Sequence, residues 1–254
     1  MFFQSLAQRI FFFLIAALLL VTTGKDWYDF YTCDAVGQCL SDAGVLQLYT
    51  KFAMSFLLTA LAFLATNRAF SPRDAKFLRI AFVFSLLADF CFSKLKILVP
   101  DAATMSTVLG IVFFMAFQTV LIYRHSRKSD SDSQFPKVYW LLAVVTLAAV
   151  ILFATGVVGL TVATVLAYAA FVISSTVVGI LAPRNGYYPV PNASLIRWGM
   201  VAFFFGDVLV GLSMLSGEDH STVQAVSAVA NNFIWWVYVP AQLMLIRGAV
   251  ESEK

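Results

Sequence analysis

Long apolar runs alternate with short polar breaks along nearly the whole chain. The runs predict helices at about residues 10–23, 45–65, 77–93, 102–123, 138–154, 160–182, 195–215 and 222–246. Most reach the length needed to cross about 30 Å of hydrocarbon. Only helices and closed barrels satisfy every backbone group there, and the unbroken apolar runs favour helices. The predicted fold class is therefore all-α: a polytopic transmembrane bundle of eight spans, one domain over residues 1–254. The first run follows Arg9, an order shared with secretory signals, but Thr23-Gly24-Lys25 leads into polar sequence without a small-x-small cleavage pattern. It is read as a retained helix. The segment 24–42, with Trp27, Tyr28, Tyr31 and four aspartates, is expected to be an interfacial loop. The Pro- and Gly-punctuated stretch PRNGYYPVPNAS separates the sixth and seventh runs.

Composition agrees. Hydrophobic residues make up 61% of the 254, charged residues only 12%, and mean hydropathy is +0.85. The charged share is about half that of a soluble domain, so lipid is the expected solvent for most of the surface. A formal charge of +3, scattered along the chain, gives no footprint for nucleic acid and is better explained by topology. With the N-terminus inside, thirteen Lys and Arg fall on the inner side and only Lys25, Lys51, Lys94 and Lys96 on the outer. This bias predicts that both termini are cytoplasmic. It also places the Asn192-Ala-Ser sequon inside, where it is discounted. The compact loops and short N-terminus suit a bacterial inner membrane. Homo-oligomerisation is left open.

Cys33 and Cys39 share the first polar loop and form a disulfide only if that loop faces an oxidising compartment. Cys91 reads as a small buried apolar residue. His125 and His220 fall in loops, where solvation is expected. Neither histidines nor cysteines cluster, so no metal and no cofactor is expected. Nucleotide-binding and Ser-hydrolase signatures are absent as well.

Two carboxylates break the apolar pattern. Asp89 lies in FVFSLLADFCF (Phe82 to Phe92) and Asp207 in VAFFFGDVLVG (Val201 to Gly211). They are the only acidic residues that the pattern places inside spans. Each stands about twelve residues, roughly 18 Å, beyond the inner end of its run. An ionised carboxylate in hydrocarbon costs roughly 2.5–3.5 kcal/mol even on insertion scales, and such groups normally face the bundle interior. If the two face each other, both charges do not form easily; one would hold its proton as an acid while the other serves as a base. A purely structural pairing with Ser, Asn or Lys is the plainer alternative.

Other polar groups are placed to join them. Ser85 and Ser93 flank Asp89 at four-residue spacing on one helix face. Gly206 permits close approach of a helix or a ligand. Lys51 enters early in the second run and either counters a carboxylate, meets a lipid phosphate or snorkels to the interface. Gln118, Asn231, Asn232, Tyr238 and Gln242 supply further polar atoms, while Trp235 and Trp236 read as packing or lipid contacts.

These residues resemble the YhhN-like lysoplasmalogenases. The resemblance runs from Lys51 onward and rests on the order and spacing of short motifs. They are Lys51 near the outer end of the second helix, FSLLAD from Phe84 to Asp89, FFFGDVLV around Asp207, and Tyr238 and Gln242 in YVPAQLMLI. Two departures stand out. Gly110 and Phe114 fit the fourth-helix pattern, but Gln118 occupies the position of a histidine, and Phe52 replaces the proline after the lysine. Gln orients groups by hydrogen bonding and exchanges no proton near neutral pH.

The resemblance implies an integral membrane hydrolase that cleaves the vinyl ether bond of a lysophospholipid substrate, a lysoplasmalogen. The products would be a fatty aldehyde and glycerophospho-ethanolamine or -choline. Asp89 and Asp207 are expected as the acid–base pair. Lys51, Ser85, Gln118, Tyr238 and Gln242 are expected to bind or orient substrate and water. The same bundle also suits a proton-coupled transporter, or a lysolipid-binding protein without turnover.

Overall fold

The computed structural model describes residues 5–32, 45–95, 98–128, 137–214 and 221–251. Among them the chain forms eight α-helices, here α1 (Leu6–Thr32), α2 (Val45–Ala65), α3 (Pro72–Phe90), α4 (Ala103–His125), α5 (Val138–Ala154), α6 (Leu160–Leu181), α7 (Val190–Ser213) and α8 (Ser221–Arg247). Six are long and apolar enough to cross a membrane. By the same measure α5, with 17 residues, is short, and α3 carries Arg73, Asp74, Lys76, Arg79 and Asp89.

Seven helices close into a ring. Contacts run α1–α2–α3–α4–α6–α7–α8 and back to α1. α5 sits outside the ring, packed mainly on α6 through Ala149, Ala163 and Ala167. Trp140, Leu141, Val144 and Leu147 on α5 are all exposed, as lipid-facing side chains would be. Small residues set the close approaches within the ring. A Cβ on Gly110 would stand 2.7 Å from the Phe92 ring, and one on Gly199 would stand 3.2 Å from the Ala241 carbonyl oxygen.

Helix starts and stops follow from local chemistry. Ser71 caps α3, its Oγ accepting from the Asp74 N–H at 3.4 Å, with Pro72 next in sequence. α6 runs into a 3₁₀ turn that ends at Gly186, whose φ of 68° suits glycine. After Asp89, α3 widens into a π-helical turn over Cys91–Leu95, a local form found mostly at functional sites. Ser106 of α4 donates to the Cys91 carbonyl, and Ser93 donates to the Asp89 carbonyl. Both bonds engage carbonyls at the point where the α-helical pattern changes.

One end of the bundle is tied shut by polar groups. Arg124 donates through Nε and Nη2 to the two oxygens of Asp74 at 2.9 and 2.7 Å, and both side chains are 0% exposed. Tyr188 donates to Asp74 Oδ1 at 2.8 Å. Burial, with the Asp74 carboxylate adding to it, pushes the Tyr188 phenol well above its ordinary range, so it remains a neutral donor. Asn192 donates to the Gly248 and Val250 carbonyls at 3.0 and 2.7 Å. Glu251 N–H bonds to Arg68 O and Phe70 N–H to Ala249 O, holding the chain after α8 against the α2–α3 connection.

The structure corrects several sequence expectations. α1 continues to Thr32 rather than ending near residue 23, so Asp26, Trp27, Asp29 and Tyr31 are helical. Asp89 and Asp207 are therefore not alone among helical carboxylates; Asp26, Asp29 and Asp74 join them. α3 begins at Pro72 rather than Phe77, and α7 at Val190 rather than Leu195. Ser71 caps the longer α3, and a proline stands in the first turn of both α3 and α7, where its fixed φ suits a helix start. His125 is buried at the end of α4 beside Arg124 rather than solvated. The Asn192 amide of the sequon is used inside the fold. Cys33, Cys39 and His220 lie outside the described residues.

Removing the Arg124 side chain should leave Asp74 charged, buried and unpaired. Arg124→Ala is expected to destabilise the fold by about 3–5 kcal/mol, read as a lower thermal unfolding midpoint in detergent. A Gly110→Ala change should also destabilise, by about 1–3 kcal/mol, because the added methyl collides with the Phe92 ring.

Candidate active site

The ring encloses a cavity of about 460 Å³. Asp89 and Asp207 line one part of it, here called the floor, and Asp26, Asp29, Gln47 and Lys51 line the part beside the C-terminal end of α1 and the start of α2, here called the mouth. Phe30, Phe52, Ile111, Phe114, Val210 and Trp235 line much of the wall between. A mostly apolar cavity with a few converging polar groups is the usual form of a small-molecule site.

The two carboxylates reach the cavity from different helices in matching ways. Each stands seventeen residues after the first residue of its helix, Pro72 for Asp89 and Val190 for Asp207. The equal spacing expected from sequence persists, but both lie further along their helices than the shorter runs suggested. Ser55 Oγ donates to Asp89 Oδ2 at 2.7 Å, and the Tyr238 hydroxyl lies 3.2 Å from the same oxygen. Asp207 Oδ1 accepts from the Tyr168 hydroxyl at 3.0 Å, while its Oδ2 is buried without a hydrogen-bond partner. Each phenol thus serves one acidic group, and the Phe114 ring packs against both, with centroids 6.4 Å from Tyr168 and 6.3 Å from Tyr238.

A second layer holds the phenols. Tyr238 shares a 2.9 Å hydrogen bond with Ser85, and Gln242 Nε2 donates to Ser85 Oγ at 3.1 Å. Gln242, Ser85, Tyr238 and Asp89 therefore form one chain. Gln118 is fully buried, accepts from Ser175 Oγ at 2.6 Å and faces Tyr168. Phe203 and Trp235 pack edge-on or tilted against Tyr238, each with ring centroids 5.3 Å away.

The mouth is built from α1, α2 and α8. Lys51 Nζ is 3.3 Å from Asp26 Oδ2. Gln47 donates to Asp29 Oδ2 at 2.8 Å, and Lys25 pairs with Asp29. Asn232 donates to the Asp26 carbonyl at 3.4 Å. Lys51 is thus a partly buried ion-pair partner inside the cavity rather than a snorkelling side chain.

Of the residues singled out from sequence, Asp89, Asp207, Lys51 and Tyr238 line the cavity. Ser85, Gln118 and Gln242 lie behind its wall and reach it through Tyr238 or Tyr168. Trp235, expected only to pack, lines the cavity, as do Asn231 and Asn232. Sequence reasoning missed Tyr168, Ser55 and Asp26. Ser55 had a usable signal, four residues after Lys51 on the same helical face. Tyr168 had a weaker one, as a hydroxyl in the apolar run LAYAAF. Asp26 was hidden by the underestimated length of α1. Among the described residues no group of three or more His, Cys, Asp or Glu is arranged to hold a metal.

A family model described as the YhhN family matches residues 46–249. The match spans α2 to α8 and most of the chain, and the chain belongs to that family. Neither a curated protein nor a solved structure gives a match.

Gly206 borders the cavity, and the nearest atom to a Cβ placed there is Val237 Cγ1 at 4.0 Å. Space rather than helix contact is therefore what this glycine provides. Gly206→Leu should fold normally but fill the cavity beside Asp207. The expected outcome is an unfolding midpoint close to wild type, with weaker uptake of a small apolar fluorescent probe into the cavity.

Proposed function

We propose that this protein is a lysoplasmalogenase: an integral membrane hydrolase that cleaves the vinyl ether bond of a single-chain ether phospholipid. The observation that carries the reading is the meeting of Asp89 and Asp207 on one cavity floor, each with a phenol donor. Membership of the YhhN family supports it.

The chemistry needs one proton delivered to carbon and one water activated. In the starting lipid, RCH=CH–O–R′, the acid protonates the β-carbon and leaves an oxocarbenium ion at the carbon attached to oxygen. Water adds to that carbon as the base takes its proton. The hemiacetal then breaks its bond to R′O, giving RCH₂CHO and the glycerol alcohol R′OH. Water is the only co-reactant, and the proton balance closes within the pair.

The hydrogen bonding supports one division of the two roles. Asp89 faces Ser55 and Tyr238 hydroxyls at one oxygen, an environment that favours the carboxylate. Asp207 has one donor and one unpartnered oxygen, which suits a carboxyl that holds its proton. Asp207 is therefore read as the acid, and Asp89 as the base and the anion beside the oxocarbenium charge. Tyr168 and Tyr238 keep the two carboxyls in register. Lys51, at the mouth, offers its ammonium to the lipid phosphate, with Asp26 balancing that charge when no lipid is bound. Ser85, Gln118 and Gln242 position the phenols.

Lysolipid binding without turnover is a second reading, favoured by one feature: buried Gln118 stands where the resemblance places a histidine. A single assay separates the two. Purified protein is incubated with lysoplasmalogen while free aldehyde is measured. Wild type should release aldehyde, and Asp89→Asn and Asp207→Asn should each lose about 10²–10⁴-fold in rate with binding retained. Binding with no aldehyde from wild type would establish the second reading, and full activity in either variant would remove the acid–base assignment. Lys51→Ala should raise KM more than it lowers kcat, because the lysine is asked only to hold the head group.

A further inference from the structure

The cavity is too small for an entire lysolipid. At about 460 Å³ it lies in the lower part of the range of about 300–1,000 Å³ typical of cavities for drug-sized ligands. It accommodates a head group, a glycerol and the reacting bond, but not a full-length hydrocarbon chain as well. That chain starts directly at the reacting bond, so its way out must lie close to Asp89 and Asp207.

Most walls of the ring are held at this level by side-chain contacts. Thr22 bonds to Thr50 at 2.7 Å between α1 and α2, and Ser55 to Asp89 between α2 and α3. The Ser106 hydroxyl ties α4 to the π turn after α3. Phe114 meets Tyr168 between α4 and α6. Ser227 Oγ donates to the Ser213 carbonyl at 2.7 Å between α8 and α7, and Trp27 packs edge-on against Phe233 between α1 and α8.

The α6–α7 wall differs along its length. Toward the closed end the helices touch: a Cβ on Gly179 would collide with Met200 Cγ, and Arg197 Nε donates to the Ile180 carbonyl at 3.3 Å. The Tyr168–Asp207 hydrogen bond spans the middle. Toward the mouth, the cavity is bordered by Val165 on α6 and by Gly211 and Met214 on α7. A Cβ on Gly211 would meet nothing within 4 Å. Val165 and Met214 border the cavity yet are 38% and 46% exposed, as residues at an opening are. Gly211 is one helical turn, about 6 Å, beyond Asp207. The neighbouring outer surface carries Val162, Leu166 and Val208, all exposed and apolar, so the opening faces a surface suited to hydrocarbon.

We propose that the substrate's single hydrocarbon chain leaves the cavity sideways between α6 and α7, across Gly211, into the membrane. This chain-binding path rests on the reading of the cavity as a lysolipid site. It makes Gly211 a specificity-determining position: a bulky side chain there would stand in the path one turn from Asp207.

Two measurements test it. In the first, a lysophosphatidylethanolamine with a diazirine at the chain end is photo-crosslinked to the purified protein in lipid nanodiscs and the adducts are mapped. Adducts should fall on α6 and α7 around Val162, Leu166 and Val208. Adducts concentrated on α1, α2 or α8 would overturn the path. In the second, Gly211→Trp is compared with wild type on short- and long-chain lysoplasmalogens. It should lose about tenfold or more in kcat/KM on the long chain while keeping most of its activity on the short one, and Leu147→Trp, on the exposed face of α5 outside the ring, should change neither. Equal losses on both chains would also overturn it. If wild type releases no aldehyde from either chain, the hydrolase reading falls, while the cross-linking result still decides where the chain lies.

Discussion

A carboxylic acid inside an apolar helical bundle needs donors for its oxygens and space for a polar neighbour, or it costs several kcal/mol. Asp89 and Asp207 impose that requirement twice at one level of the ring. Ser55, Tyr238 and Tyr168 answer it from three further helices. The Ser85–Gln242 and Ser175–Gln118 pairs extend the network behind the phenols. Five helices of the ring (α2, α3, α6, α7 and α8) are thereby coupled through two carboxyl groups. The packing places an aqueous-sized cavity where those groups meet rather than filling the space with side chains.

The two ends of the bundle divide the labour. At the closed end, the Arg124–Asp74 pair, Tyr188 and Asn192 use buried hydrogen bonds to hold α3, α4, α7 and the chain after α8. At the mouth, among the described residues, the ion pair of Lys51 with Asp26 and the Gln47–Asp29 bond join α1 to α2. A rigid base and a polar rim suit the proposed hydrolysis, in which the lipid would come from the membrane and the water from outside it. The π turn after Asp89 belongs to the same design. It ends α3 one residue past the carboxylate and brings Phe92 against Gly110.

Much of this was legible in the chain. Apolar runs located all eight helices, with α2 and α5 bounded as observed, because lipid exposure makes hydrophobicity itself the signal. The two carboxylates stood out for the same reason, and their equal offset from helix starts survived the longer helices. Amphipathic ends were harder to read. Asp26 and Asp29 sit where α1 leaves its apolar core, and polar sequence there reads as loop although the helix continues. Buried charge at Asp74 and Arg124 looked like ordinary flanking charge, since sequence does not show that the two meet across α3 and α4. Tyr168 was lost among apolar neighbours because its importance lies in a partner 39 residues away. Gln118 was noticed as a departure, and it lies outside the cavity lining, fully buried and bonded to Ser175.

The central claim is that a carboxyl of this pair delivers a proton to carbon. The mass of the aldehyde formed from a lysoplasmalogen in heavy water tests that most directly. Vinyl ether cleavage by the proposed route places one deuterium on the carbon next to the carbonyl, and the label should vanish with activity in Asp207→Asn. Release of unlabelled aldehyde, of a fatty acid in its place, or of labelled aldehyde at undiminished rate from Asp207→Asn would contradict the account.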